Sequence, residues 1–254
     1  MNTIELDDFL KKLLKPELFD DYCPNGLQIE GTKEIKKVLF AVSATRESAE
    51  HAQKIKAQAL IVHHGLFWKF HGTKPLTGAF YHRVAPLIKS DINLFGYHLP
   101  LDAHEEVGNA AQIARLLEMA DLSPFGNYKG AFTGIMGSLP KSMDGTELKK
   151  LIETKLNHTV LYSNPLEKKS VQKIGIITGG ANSQWREAHK LGLDAYITGE
   201  MSEHDYHESR ESGIHMYAGG HHATEKFGIQ SLMKKVSENF PELECLFIDS
   251  ENPA

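Results

Sequence analysis

Val38-Leu39-Phe40-Ala41-Val42-Ser43-Ala44-Thr45 opens a stretch that closes on Ala59-Leu60-Ile61-Val62-His63-His64-Gly65. Both apolar runs read as buried strands. Between them Ala49, Ala52 and Ile55 recur three apart, as one buried helical face requires. A strand, a small polar turn, an amphipathic helix and a second strand favour a parallel or mixed sheet covered by helices. Such sheets bind ligands beyond the carboxyl ends of their strands, which is where His63 and His64 stand.

The pattern returns later in the chain. With Val38 set against Ile174, Phe40 and Ala41 face Ile176 and Ile177. Ala49, Ala52 and Ile55 then face Trp185, Ala188 and Leu191, and Ala59 and Ile61 face Ala195 and Ile197. His63 and His64 fall on Gly199 and Glu200. Ser90-Asp91-Ile92-Asn93-Leu94-Phe95-Gly96 resembles Ser212-Gly213-Ile214-His215-Met216-Tyr217-Ala218, and a one-residue slip sets His98 on His221 and Asp102 on Glu225. Leu6, Phe9 and Leu10 match Leu148, Leu151 and Ile152. Each copy closes with a further strand, Ala131 to Leu139 and Leu243 to Ile248. The expected fold is α/β, with two similar halves from an internal duplication, residues 1–140 and 141–254 with an approximate boundary. Either closing strand can instead cross to the other half's sheet.

At 254 residues the chain has ample core for one large domain or two small ones. Its net charge of -5 argues against a non-specific nucleic-acid binder, which carries a basic excess. No window approaches about 18 uninterrupted apolar residues, so no membrane span is expected. Met1 to Asp8 lacks the basic-then-apolar order of a signal peptide. The two cysteines, Cys23 and Cys245, lie far apart, so a reducing cytoplasm is the expected location. Cys245 reads as a buried structural thiol and Cys23-Pro24-Asn25-Gly26 as a turn.

Imidazoles and carboxylates placed after strands are what a borderline divalent metal requires. Successive strand residues point to opposite faces, so His63 and His64 serve one cluster only if the strand ends there, and Gly65 offers that break. The bland alternative is one core and one surface histidine among the 14 in the chain. Asp102-Ala103-His104-Glu105 reads equally as a helix N-cap with an acid three residues on. Glu225 occupies the matching place and Glu is a poor N-cap, so a ligand role explains both residues. In Gly219-Gly220-His221-His222-Ala223-Thr224-Glu225, His221 and Glu225 lie one helical turn apart. His222 rivals His221, but the spacing shared with His98 and Asp102 favours His221. Glu200 reads as a ligand, a carboxylate orienting a histidine, or a base. His204, His207 and His215 read as structural or solvent-facing. Gly179-Gly180 is too short for a dinucleotide fingerprint, and no nucleophile motif appears.

Asp21-Tyr22-Cys23-Pro24-Asn25-Gly26-Leu27-Gln28, Val62-His63-His64-Gly65-Leu66-Phe67-Trp68, Asp91-Ile92-Asn93-Leu94 with His98-Leu99-Pro100-Leu101-Asp102, Ile197-Thr198-Gly199-Glu200 and Gly220-His221-His222-Ala223-Thr224-Glu225 together resemble the GTP cyclohydrolase I type 2 homologue family, also called NIF-three-like. The likeness runs from about Tyr22 onward and is greatest to the short bacterial members. Most members read His-His-Pro where this chain has His63-His64-Gly65. The resemblance implies two interlinked α/β domains and a ring-shaped homohexamer. It also implies two divalent metal ions per chain, Zn, Mn, Fe or Ni, held by His63, His64, Asp102, His221 and Glu225.

Two functions follow as expectations. The first is a GTP cyclohydrolase-like, metal-dependent hydrolase acting on a nucleotide or related small heterocycle. The metals would activate water, His98 or Glu200 would move a proton, and Lys69 and His71 would meet phosphates. The second is a non-enzymatic metal-binding scaffold or interaction protein.

Overall fold

The computed structural model describes residues 1–167 and 170–254. In chain order the elements are α1 (Thr3–Leu14), β1 (Gly26–Ile29), β2 (Lys37–Ser43), α2 (Arg46–Lys54), β3 (Ala59–His64), α3 (Gly78–Lys89), β4 (Asn93–Gly96), α4 (Leu99–Asp102) and α5 (Asn109–Leu116). Then come β5 (Ala120–Tyr128), β6 (Ala131–Asp144), α6 (Gly145–Leu156), β7 (Leu161–Ser163), β8 (Ser170–Ile176), α7 (Trp185–Lys190) and β9 (Ala195–Thr198). The last are α8 (Glu203–Ser212), β10 (His215–Ala218), α9 (His221–Asn239) and β11 (Glu244–Phe247). No helix among the described residues is long and apolar enough to cross a membrane.

Local signals set several boundaries. Asn2 caps α1 through a reciprocal pair with Glu5, and Lys15 ends that helix in the left-handed region. Thr45 caps α2 in the same reciprocal way with Ser48, so the polar turn after β2 starts the helix directly. Pro100 is the second residue of α4, where the missing N–H costs no helical bond.

The chain forms two compact units. One comprises Met1–Leu101 with Ile229–Ser250, the other Asp102–Gly228 with Glu251–Ala254. The first holds a five-stranded sheet in the order β1-β4-β3-β2-β11. Here β2, β3, β4 and β11 run parallel, and β1 closes the edge antiparallel to β4. Leu39, Ala41, Leu60, Val62, Leu94 and the α2 alanines Ala49 and Ala52 fill one core.

The second holds a six-stranded sheet in the order β5-β6-β8-β9-β10-β7. Three central strands, β8, β9 and β10, run parallel, with β7 antiparallel on one side and the β5–β6 hairpin antiparallel on the other. Among the described residues its apolar side chains pack around Ile174, Ile176, Ile197, Leu148 and Ile152, and around Phe125, Trp185, Tyr196 and Met216.

Both sheets thus mix parallel and antiparallel pairs and are covered by helices. Their registers agree with the alignment read from sequence. Val38 pairs with Ala59 and Phe40 with Ile61, while Ile174 pairs with Ala195 and Ile176 with Ile197. Likewise Ala59 pairs with Asn93 and Ala195 with His215. The two closing strands, free on sequence grounds to cross, lie beside β2 and β8. The late strand β11 pairs with β2, and β6 pairs with β8. Each thereby satisfies a sheet edge whose N–H and C=O groups would otherwise stand bare.

Candidate metal centre

In the first unit β3 delivers the histidine pair. The strand runs through His64, which is paired with Ser43 and is its last residue. Because the ladder stops there, the two rings converge, with centroids 4.5 Å apart at 42°. His98 follows β4. One ring nitrogen from each of His63, His64 and His98 lies within 4.8 Å of the others. His63 is fully buried and His98 nearly so.

In each of these imidazoles Nδ1 has a defined partner. His63 Nδ1 lies 3.0 Å from the Tyr97 carbonyl oxygen, His64 Nδ1 3.0 Å from Ser43 Oγ, and His98 Nδ1 3.0 Å from Asp21 Oδ1. Engaging one ring nitrogen this way fixes the ring and assigns Nε2 as the donor, as metal-binding histidines require. The donor set therefore fits a divalent transition metal: three neighbouring imidazoles suit Zn, Fe or Ni, and Mn would draw more on carboxylate oxygens. Asp21 is almost wholly buried. Burial raises its pKa, but the hydrogen bonds and charge of His98, with Asn25 and the Leu99 amide, outweigh this and hold it at about 2. It is an anion at neutral pH.

In the second unit His221 and Glu225 stand one turn apart at the start of α9, with His221 Nε2 3.2 Å from Glu225 Oε2. His221 Nδ1 lies 2.6 Å from Glu200 Oε1. Burial lowers the His221 pKa, but the two carboxylates more than reverse this and raise it to about 9. The rival His222 is buried, and its amide binds the Ala254 carbonyl. Asp102, also buried, accepts hydrogen bonds from Asn109 Nδ2 at 2.8 Å and Thr178 Oγ1 at 3.2 Å. It is no N-cap. Asp102 is the last residue of α4, and Gly108 precedes α5. The turn between them is satisfied by His104 Nδ1, which accepts from the amides of Glu106 and Val107.

Several contributors escape a sequence reading. Gly179 adopts a left-handed φ of +65°, and a Cβ there would collide with Glu225 Oε1 and lie 3.0 Å from His221 Nε2. Gly179, in a glycine pair too short for a nucleotide motif, is what lets this loop approach both side chains. Asn109 and Thr178 support Asp102, Ser43 supports His64 and Asp21 supports His98, and none carries a spacing signal of its own. Gly65 leaves room for Gln28, whose Oε1 accepts the Leu66 amide at 2.9 Å. The three histidines read as structural or solvent-facing behave so: exposed His204 and His207 pair with buried Asp205 and exposed Glu203, and buried His215 meets the Tyr162 hydroxyl at 2.7 Å. Cys245 is half-buried rather than fully buried, because β11 lies at a sheet edge, and burial still pushes its thiol up to about 11.

After His64 the chain lines a cavity of about 240 Å³ with Leu66, Phe67, Trp68, Phe80, Lys69 and Lys74 among its walls. Lys69 Nζ donates to the Asp21 carbonyl at 2.5 Å, and His71 also lines the cavity.

Comparison with known proteins identifies relatives of the chain. Residues 1–253 match the family Duf34/NIF3 (NGG1p interacting factor 3). A "GTP cyclohydrolase 1 type 2 homolog" from Pasteurella multocida is 41% identical over 254 residues, covering 100% of both chains. The Escherichia coli K12 protein of the same name is 40% identical over 258 residues, again at full coverage. Among solved structures, one described as protein ybgI, of unknown function, is similar with a TM-score of 0.92 at 40% identity and 100% coverage of each chain. TTHA1606 from Thermus thermophilus gives 0.88 at 31% identity, also at 100% coverage of each.

Proposed function

The chain belongs to the Duf34/NIF3 family, and from that premise we propose that it is a metal-dependent hydrolase of a nucleotide or related small heterocycle. In this reading His63, His64, Asp102, His221 and Glu225 hold two divalent ions per chain. The observation that carries it is the group His63, His64 and His98, whose donor nitrogens lie within 4.8 Å of one another with every Nδ1 engaged. Fixing one ring nitrogen in this way is the arrangement that metal-binding histidines use.

When bound, two such ions supply Lewis acidity and a water acidified toward neutral pH. The protein's residues do the rest. Tyr97, Ser43 and Asp21 hold the three imidazoles in direction. Asn109 and Thr178 both donate to Asp102 Oδ1 and so hold the carboxylate in place. His98 and half-exposed Glu200 are proposed to move protons, Glu200 through its contact with His221 Nδ1. The cavity after His64 is proposed to take the substrate. Phe67, Trp68 and Phe80 give it apolar walls, and Lys69 and Lys74 bring positive charge to it. The name GTP cyclohydrolase 1 type 2 homolog carried by the relatives points to the same substrate class.

A second reading rests on the family's own description as an interacting factor. There the metals stabilise a scaffold that binds a partner. Assembly into a ring-shaped homohexamer in the cytoplasm belongs to both readings. One experiment separates them. Protein loaded with Zn, Mn, Fe or Ni is measured by elemental analysis and screened for turnover across nucleotides and pterin precursors. Up to two ions per chain with metal-dependent turnover is expected. Metal content without turnover on any substrate favours the scaffold, and protein that takes up no metal rejects both.

A further inference from the structure

Among the described residues a second group of potential donors lies beside the first, formed by Asp21, Cys23 and His98. Its geometry does not suit a metal. Asp21 already accepts four hydrogen bonds. Oδ1 takes the Tyr22 amide at 2.7 Å and His98 Nδ1 at 3.0 Å. Oδ2 takes Asn25 Nδ2 at 3.0 Å and the Leu99 amide at 3.0 Å. A carboxylate has about four lone-pair sites, so a cation here would have to displace one of these bonds. The His98 nitrogen on this side is moreover the one that donates.

We infer that Asp21 is a positioning residue, holding His98 as the Nδ1–H tautomer with Nε2 turned to work at the candidate centre. This rests on the reading of His98 as a proton carrier beside the His63–His64 pair. The ring is held at two places. Asn25 Oδ1 accepts the His98 backbone amide at 2.8 Å while Asn25 Nδ2 donates to Asp21. The turn Asp21-Tyr22-Cys23-Pro24-Asn25 is thus a bracket that grips backbone and ring of one histidine. The Tyr22 hydroxyl lies 3.5 Å from Nε2, and Trp68 packs edge-on against the ring, so side contacts limit its rotation.

An independent observation supports the assignment. His221, which the sequence alignment sets against His98, has the same kind of partner, Glu200 at 2.6 Å from Nδ1. The two carboxylates come from unrelated places in the chain. One precedes β1 and the other follows β9, so no common ancestral residue explains both. What they share is the chemistry of directing a ring through its Nδ1.

A merely structural Asp21 would leave the tautomer of His98 unmoved, so the tautomer is the readout. Metal-free protein with 15N-labelled histidine is observed by long-range 1H–15N correlation at alkaline pH. The wild-type His98 is expected as a single Nδ1–H form, against the usual preference of an unconstrained imidazole for Nε2–H. In Asp21→Asn the amide offers one oxygen to four donors, so His98 should shift to a mixture dominated by Nε2–H. In Asp21→Glu a carboxylate is restored and the Nδ1–H form should recover. Wild-type His98 in the Nε2–H form overturns the inference whether or not either variant folds, and so does Asp21→Asn retaining pure Nδ1–H. Because no metal or substrate is present, these outcomes stand apart from the hydrolase reading, which falls on metal content and turnover.

Discussion

Glu225 is almost fully buried against a histidine, one turn into α9 and past the positions where a side chain could cap the helix. Glu225→Ala and Asp102→Ala are each expected to lose at least one ion per chain in elemental analysis. Full occupancy in both would remove them from the centre. Asp102→Ala also leaves Asn109 and Thr178 without their acceptor, so a stability loss of about 1–3 kcal/mol should accompany it in urea melts. Gly179→Ala tests the close approach of its loop. A non-glycine residue at positive φ costs about 1 kcal/mol, and the added carbon must also displace Glu225. Metal content should therefore fall more steeply than stability; unchanged content would show that the loop yields freely. Asp205 shows what a purely structural carboxylate does. It is fully buried and accepts from Trp185 Nε1 at 2.9 Å and Asn182 Nδ2 at 2.6 Å. Burial raises its pKa, yet these bonds, the Ser202 amide and His204 leave it lowered from 3.8. Its stabilisation is therefore present above pH 3.8 and fades as pH falls through the lower folded value. Asp205→Ala should cost about 3 kcal/mol at neutral pH, and the gap to wild type should narrow below pH 3.8. A gap constant with pH would mean that the charge contributes nothing.

Helices and strands are the legible part of the chain. Apolar periodicity locates β2, α2 and β3, and the spacing from His98 to Asp102 and from His221 to Glu225 reports where strands end. Those signals are local, and local pattern is set by one buried face. Asp102 shows the limit. Its spacing to Glu105 imitates a cap, but a cap depends on backbone angles that the spacing does not carry, and here the angles place the helix start at Asn109. Supports such as Ser43, Asp21 and Thr178 are invisible for a related reason, since a hydrogen bond across two elements leaves no period in either. Where the local signal is complete it is also measurable. Thr45 joins β2 to α2 with both bonds of its reciprocal pair, so Thr45→Ala should lower stability by about 1 kcal/mol in chemical denaturation. No loss would show that β2 and β3 hold the helix without its cap.

Across the whole molecule, the proposed metal binding would couple to stability. An ion bound only by the folded chain stabilises it by about 2.7 kcal/mol at a hundredfold excess over Kd. Thermal unfolding should thus move upward with added metal and downward with chelator, and an unchanged midpoint would speak against ions held by folded structure. Size exclusion on the same samples reads the expected hexamer, and its survival without metal would count against the scaffold reading. The matching registers of β2–β3 and β8–β9 are readable in advance because register follows apolar pattern. The crossing of β6 and β11 is not. The apolar pattern of each strand suits either sheet edge, and the choice is made by distant partners.

That crossing has a consequence during synthesis. β2 is made early, but its outer neighbour β11 is the last strand in chain order, about 200 residues behind it. At ribosomal rates of roughly 5–20 residues per second, the β2 edge waits about 10–40 s for its partner. In that interval the nascent chain carries an open ladder of Val, Leu and Phe, and neighbouring chains on one polysome offer the same edge. Expression yield should therefore respond to chaperones that shield strands and to slower initiation, more than the stability of the finished protein would suggest.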